Sequence, residues 1–319
     1  MERFSMIPRI ALAAFLTLCL AAVGLNAPSR AQFNGCSAGF CGGVASGSPA
    51  PGGYVGPGDV TTFSAWWGLR GYNTAYSGNA ANICTPLDAL CLDVAIVAGA
   101  LNTTTLGTLA CNNTTTICTV KTLYDQTGNG NSVTQATIAT RPKYVAPGAA
   151  NGCPTTLLPC MSFAGTVTNQ FLRGTITTIN QQFSISAVVE RSADTSSFNP
   201  YLTGGGFGGY FLNSTNNVMI YAGTVSSAVA ASDNSYHSLQ SVFNSAASIL
   251  TVDGVDTTGL DVSTGAFSTP TSIGDNGAGG NFLGGFLSED GVASGGFSGT
   301  VRTNLCHNQR LYYTLSGSC

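Results

Sequence analysis

Ile249-Leu250-Thr251-Val252-Asp253-Gly254-Val255-Asp256 places two β-prone segments on either side of a pair that reverses a chain. Asp-Gly tolerates the positive φ angles of a two-residue turn, so between such segments it is the strongest short-range hairpin signal in the sequence. The same texture recurs outward from it. Segments 119–124, 184–190, 201–212, 218–222, 238–243, 248–252 and 282–287 are rich in Val, Ile, Phe, Tyr and Thr and are bounded by Gly or Asn. Each is predicted to be extended. Nearer the front, Thr62 could cap a helix over 63–76, where Phe63, Trp66 or Trp67, Arg70 and Tyr76 recur at helical intervals. Segment 87–101 reads as a second helix, or as a buried strand around 92–97. The fold class is therefore all-β, a two-sheet β-sandwich with one or two short N-terminal helices.

The first residues carry the pattern of an export signal. Arg3 and Arg9 precede an apolar run over 10–25, and Ser29-Arg30-Ala31 offers small residues where a signal peptidase cuts. The run falls short of the roughly 20 residues a membrane span needs. The expected organisation is a signal peptide over 1–31, a Gly/Ser/Pro-rich leader over 32–58 and one domain over 59–319. That places the chain in a secreted, periplasmic or extracellular setting, with no stable membrane span once the signal is removed.

Of the 11 cysteines, Cys19 lies inside the signal, which leaves an even set. They fall into local couples: Cys36–Cys41, Cys84–Cys91, Cys111–Cys118, Cys153–Cys160 and Cys306–Cys319. Spacing alone does not fix connectivity, and short-range pairing is the simplest proposal. No CxxC or histidine-rich cluster points to a metal. Charged residues make up only 8% of the chain, with a net charge of −3. There is no basic run, so nucleic acid is not an expected partner. No cofactor-binding motif is present: Gly204 to Gly209 joins strands, with no helix start behind it.

Two passages resemble a known family. The first is Trp67 to Gly78, followed by Tyr124-Asp125-Gln126-Thr127-Gly128-Asn129-Gly130-Asn131, Thr134-Gln135 and Arg141-Pro142. The second is Tyr236 to Asn244, Ile249 to Val255 and Ser272 to Glu289. The first resembles the front half of the catalytic domain of α-L-arabinofuranosidase B. The second resembles the late strands of concanavalin-like sandwiches, the fold of that domain. The resemblance implies a concanavalin-like jelly roll that acts on terminal α-L-arabinofuranosyl groups of plant polysaccharide. The partner is then a polysaccharide or glycan. The alternative is a non-catalytic glycan-binding or extracellular structural module, because fold does not carry function.

Furanoside hydrolysis normally takes two carboxyl groups. In the family, the general acid/base is an Asp in a Gly-Gly-Asp-Asn segment, which Ile273-Gly274-Asp275-Asn276 resembles. Asp275 is the expected acid/base, with a backbone-bonded turn as its competing role. The family nucleophile is a Glu in Asp-Leu-Glu-Asn-Gly, and the corresponding stretch here, 218–225, holds no acid. The adjacent Cys-Cys pair of the family's sugar pocket is also absent. The nucleophile is thus unknown, with Glu190, Asp194, Asp233 and Glu289-Asp290 as substitutes. Trp66, Trp67 and Tyr221 are candidate sugar platforms, alongside Tyr72, Tyr201 and Tyr210. Core packing is the competing role for the two Trp. Asp125 reads as a turn builder, Arg70 as an anchor to the sheet, and His237 as a structural histidine. No Ser–His–Asp spacing is visible along the chain.

Overall fold

A computed structural model describes residues 53–319, apart from 114, 149–152, 155–157, 193–197, 213–216 and 233. The expected signal segment, most of the expected leader and the Cys36–Cys41 couple lie outside the described residues.

The Asp-Gly turn forms as its residues require. Asp253 (φ 49°) and Gly254 (φ 84°) are both left-handed, and Val252 faces Val255 across the strands Ser248–Val252 and Val255–Leu260. Glycine is needed at 254 for a second reason. A Cβ there would sit 2.5 Å from the Cα of Cys319, against the C-terminal segment.

From this hairpin, one antiparallel run continues through Tyr236–Phe243 and Phe183–Arg191 to Gly284–Ser294. Cys160–Ala164 and Ala65–Gly68 share the other edge of Gly284–Ser294. A second run leads from Asn217–Tyr221 through Phe207–Leu212, Phe198–Gly204, Thr271–Ile273, Leu172–Gly174, Val133–Thr134 and Cys118–Leu123 to Asn79–Cys84 and Cys91–Val97. Lys143–Val145 ties the runs together by pairing with both Cys118–Leu123 and Cys160–Ala164. Inward residues of both runs share one core, with Ile185, Val189, Leu239 and Phe243 from the first and Leu202, Phe211, Ile220 and Ile273 from the second. Each such side chain contributes about 1.5–3 kcal/mol on burial.

The helix expected over 63–76 is not formed. Ala65–Gly68 is a strand, with Ala65 opposite Val292 and Gly68 opposite Glu289. Trp67 joins the main core, whereas Trp66 packs on the other face with Phe63, Tyr72, Phe297 and Leu305. Both faces of this strand are covered, so its apolar residues are continuous and imitate a helical stripe. In 87–101 the strand alternative holds, as Cys91–Val97. The short helices near the front are Pro57–Val60 and Thr103–Thr108.

A helix that the sequence reading did not anticipate, Gly299–Tyr313, covers the outer face of the first run. The Oγ of Ser298 caps it, accepting from the Val301 N–H at 3.2 Å. Gln309 fixes the helix to the sheet: its Oε1 accepts from Ser238 Oγ (2.5 Å) and Gln240 Nε2 (2.8 Å), and its Nε2 donates to Ser186 Oγ (3.0 Å). Disulfides join Cys84–Cys91, Cys111–Cys118, Cys153–Cys160 and Cys306–Cys319. Among the described residues, no helix is long and apolar enough to cross a membrane.

Candidate functional site

A groove of about 750 Å³ opens where the Phe198–Gly204/Phe207–Leu212 hairpin meets the loop after Thr271–Ile273. The turn between the hairpin strands is Gly205-Gly206, both with positive φ (62° and 86°), which lets the chain reverse without a side chain filling the groove. Tyr210 faces Met219, and Gly208 faces Tyr221, on the neighbouring strand Asn217–Tyr221. This register lines up four rings. Phe198 meets Tyr210 edge-on at 6.4 Å, Tyr210 meets Tyr221 edge-on at 6.2 Å, and Tyr221 lies 5.6 Å from Phe207. The hydroxyl of Tyr210 donates to the Gly206 carbonyl, which holds its ring in place.

The opposite wall is polar and made largely of backbone and amides. It comprises Ser268, Thr269, Asn276, Gly277 and Asn281, with Pro270 between them. Leu202 pairs with Ile273, which sets the 274–281 loop beside the hairpin. The side-chain oxygen of Asn276 accepts from the N–H groups of Ala278, Gly279 and Gly280 at 3.0–3.2 Å, closing that loop on itself. An apolar wall of rings facing a wall of amide, hydroxyl and backbone groups suits a sugar, whose C–H face is apolar and whose hydroxyls need partners.

Among solved structures, the chain is similar to a GH54 α-L-arabinofuranosidase soaked with a cyclic sulfate inhibitor and to a mutant GH54 α-L-arabinofuranosidase soaked with 4-nitrophenyl α-L-arabinofuranoside. Each has a TM-score of 0.60 at 18% identity, covering 80% of this chain and 64% of the other. The fold is arabinofuranosidase-like. An arabinofuranosidase complexed with arabinofuranosyl-α-1,2-xylobiose is similar as well, with a TM-score of 0.58 at 17% identity and the same coverage. The chain thus spans 64% of the length of these arabinofuranosidases. No protein-family model and no curated protein sequence matches it.

Within this arabinofuranosidase-like fold, Asp275 sits behind the groove wall. It is fully buried, and Arg173 grips both carboxylate oxygens, with Nε 3.3 Å from Oδ1 and Nη2 on Oδ2. The Gly277 N–H donates to the same Oδ1 at 3.1 Å, and Thr203 Oγ1 donates to the Asp275 carbonyl at 2.9 Å. Arg173 in turn lies over the ring of Phe171, 4.3 Å from its centroid. In this arrangement both carboxylate oxygens of Asp275 are engaged, and the side chain is not part of the groove lining.

Among the described residues, the substitute carboxylates Glu190, Glu289 and Asp290 do not reach the groove either. Glu289 is fully buried in an ion pair with Arg70, whose Nη2 lies 2.8 Å from Oε1, and it accepts from Gln309 (3.0 Å) and Tyr313 (2.9 Å). Asp290 points to the other face, where both its oxygens lack a hydrogen-bond partner; burial, with the charge of Glu289 added, pushes its carboxyl well above the usual range. Glu190 is pushed up to about 7 by burial. It does not line the groove. Asp194 and Asp233 lie outside the described residues.

Trp66 and Trp67 are fully buried, so neither ring face can meet a sugar. Their reading as sugar platforms is corrected. Tyr201 is also buried, its ring filling the space where Gly209 has no side chain. Tyr221 and Tyr210 do line the groove. Phe198, Phe207 and Met219 were not singled out from the sequence. No local pattern announced them: strand pairing puts Tyr210, Met219 and Tyr221 on one face, and Phe207 reaches the groove from beside the Gly205-Gly206 turn. Asp125 is a turn builder: Oδ1 accepts from the Trp66 (3.2 Å) and Thr127 (3.0 Å) N–H groups, and Oδ2 from Asn131 (3.0 Å).

Proposed function

We propose that this chain is an extracellular carbohydrate-active protein that holds a short, neutral, arabinofuranosyl-bearing glycan in the aromatic groove without cleaving it. The observation that carries this reading is the contrast between the two halves of a hydrolase site. The binding half is present as the ring series Phe198, Tyr210, Tyr221 and Phe207. Among the described residues the chemical half has no counterpart: none that lines the groove is a carboxylate, and both oxygens of Asp275 are taken by Arg173 and the Gly277 backbone. A retaining glycosidase needs two carboxyl groups about 5–5.5 Å apart across an open pocket. Similarity to arabinofuranosidases supports the choice of a pendant arabinofuranosyl unit as the ligand. Calorimetric titration with arabinoxylan and arabinan oligosaccharides tests the reading. Binding that weakens about tenfold in Tyr221→Ala supports it, and no binding to any arabinofuranosyl-bearing oligosaccharide removes it.

The position of the Ile273-Gly274-Asp275-Asn276 segment favours a second reading, since Asn276 and Gly277 border the groove. If Arg173 swings away when a glycan enters, Asp275 could protonate a departing oxygen, and the protein would hydrolyse α-L-arabinofuranosides. Asp275→Asn would then lose about 10²–10⁴ in rate on substrates with poor leaving groups and much less on activated aryl glycosides.

A further inference from the structure

Away from the groove, the fold brings together three side chains whose order along the chain gives no hint of their meeting. His237 begins the strand Tyr236–Phe243 and is almost fully buried. Its Nδ1 lies 2.6 Å from Oδ2 of Asp253, the turn residue of the Asp-Gly hairpin. That carboxylate is itself oriented, because its other oxygen accepts from the Ser238 N–H at 3.0 Å. On the far side of the ring, Nε2 faces Ser232, 3.4 Å from its Oγ and 2.9 Å from its carbonyl oxygen. Ser232 is exposed, and all three residues border a cavity of about 720 Å³ whose remaining walls are mostly small and apolar, including Val229, Ala231, Val252 and Val255.

We propose that Ser232, His237 and Asp253 form a second active site, a serine nucleophile with its base and orienting carboxylate, acting on esters of short apolar acyl groups. The chemical roles follow from the order carboxylate–imidazole–hydroxyl, which is recognised by geometry and not by sequence position. Asp253 holds the Nδ1 proton, which leaves the Nε2 lone pair to act as base. Ser232 Oγ attacks the ester carbonyl carbon while its proton passes to Nε2. The bond to the alcohol oxygen then breaks, and that oxygen takes the proton from Nε2. Water next attacks the acyl-serine, giving one proton to Nε2. The carboxylic acid departs as Ser232 Oγ recovers that proton. The small apolar walls set the acyl class, since they offer no partner to a charged or hydroxylated acyl group.

The two contacts at Nε2 give the site a pH dependence. When the ring is cationic, Nε2–H donates to the Ser232 carbonyl, and the base is occupied. When the ring is neutral, the hydroxyl can donate to Nε2 instead. Burial opposes the charged ring, and among the described residues Asp253 from the hairpin turn, the Ser232 carbonyl and Glu190 from Phe183–Arg191 outweigh it and hold the imidazole above its usual value. Activity therefore rises with pH through and above the ordinary histidine range.

The test uses the full purified protein with a fluorophosphonate probe and p-nitrophenyl acetate across pH 6 to 9. The proposal expects labelling that maps to Ser232 and an ester hydrolysis rate that climbs with pH. Ser232→Ala should lose the label and about a hundredfold or more of the rate, while glycan binding is unchanged. Because Ser232 is exposed, this variant does not threaten the fold. Equal labelling and rates in wild type and Ser232→Ala overturn the proposal, as does an absence of labelling at pH 9. Either result would leave His237 as a structural clamp between the hairpin turn and the 230–235 segment.

Discussion

Arg173 closes on Asp275 with two nitrogens, one to each carboxylate oxygen, and stacks its own guanidinium plane on Phe171. A residue that resembles a general acid in sequence thereby becomes the anchor of a loop. The loop it anchors, 275–281, supplies Asn276, Gly277 and Asn281 to the polar wall of the groove. Asp275→Asn keeps the side-chain shape but removes the charge that Arg173 answers. Arg173 is about a third exposed, so the loss should fall between that of a surface and a buried pair, about 1–3 kcal/mol. Thermal denaturation reads this loss, and oligosaccharide titration should show weaker binding as the wall loosens. Unchanged stability would mean that the pair does not hold the loop.

Glu289 offers the sharper case of a carboxylate with a structural task. It and Arg70 are both fully buried, and the helix Gly299–Tyr313 adds Gln309 and Tyr313 to the same carboxylate. Glu289→Gln leaves the Arg70 charge buried without its counter-charge, so it should cost on the order of 3–5 kcal/mol. Denaturant titration checks this. A Glu289→Gln protein as stable as wild type would show that the helix does not depend on the pair.

The groove rings should divide by exposure. Tyr221 and Phe207 are only half-buried, so replacing either with Ala should spare the fold and weaken glycan binding by about tenfold, the effect of losing one stacked ring. Tyr210 is buried and bonded to Gly206, so Tyr210→Ala should damage both stability and binding. Calorimetric titration beside thermal denaturation separates the two classes.

Asp290 carries a pH signature. Its carboxyl is held well above the usual range in the fold because burial opposes the charged form. In the unfolded chain it ionises near the ordinary value of about 3.9. The folded state therefore keeps a proton that the unfolded state has released, and stability falls as pH rises above about 4 toward the folded value. Asp290→Asn removes this penalty. The stability difference between variant and wild type should grow in favour of the variant from pH 4 to pH 8. A difference that is constant with pH would contradict a neutral Asp290.

Much of this architecture is legible in the residues, and the exceptions share a cause. The Asp253-Gly254 turn and the strands around it could be read because β-prone residues flank an Asp-Gly pair that favours a tight reversal. Ala65–Gly68 could not, because Trp66 and Trp67 serve two different cores on opposite faces. The helix Gly299–Tyr313 is mostly polar, and its buried side includes Arg302 and Gln309, so no apolar stripe announces it. Its burial is achieved by hydrogen bonds and ion pairs to the sheet, including Arg302 to Asp256. At the groove, a resemblance led to Asp275 but could not supply Arg173, which lies 102 residues earlier. Ser232 lies five residues before His237, but Asp253 reaches the same ring through strand pairing.

The proposed role of the groove, holding an arabinofuranosyl-bearing glycan and leaving it intact, has a direct test. Incubating the full-length protein with an arabinoxylan oligosaccharide, and following both complex formation and released arabinose in the same sample, tests it most directly. The account predicts saturable binding that Tyr221→Ala weakens, with no arabinose released above a no-protein control. Arabinose release by the wild type that Asp275→Asn abolishes would contradict it and establish a hydrolase in which Arg173 yields its partner to the substrate.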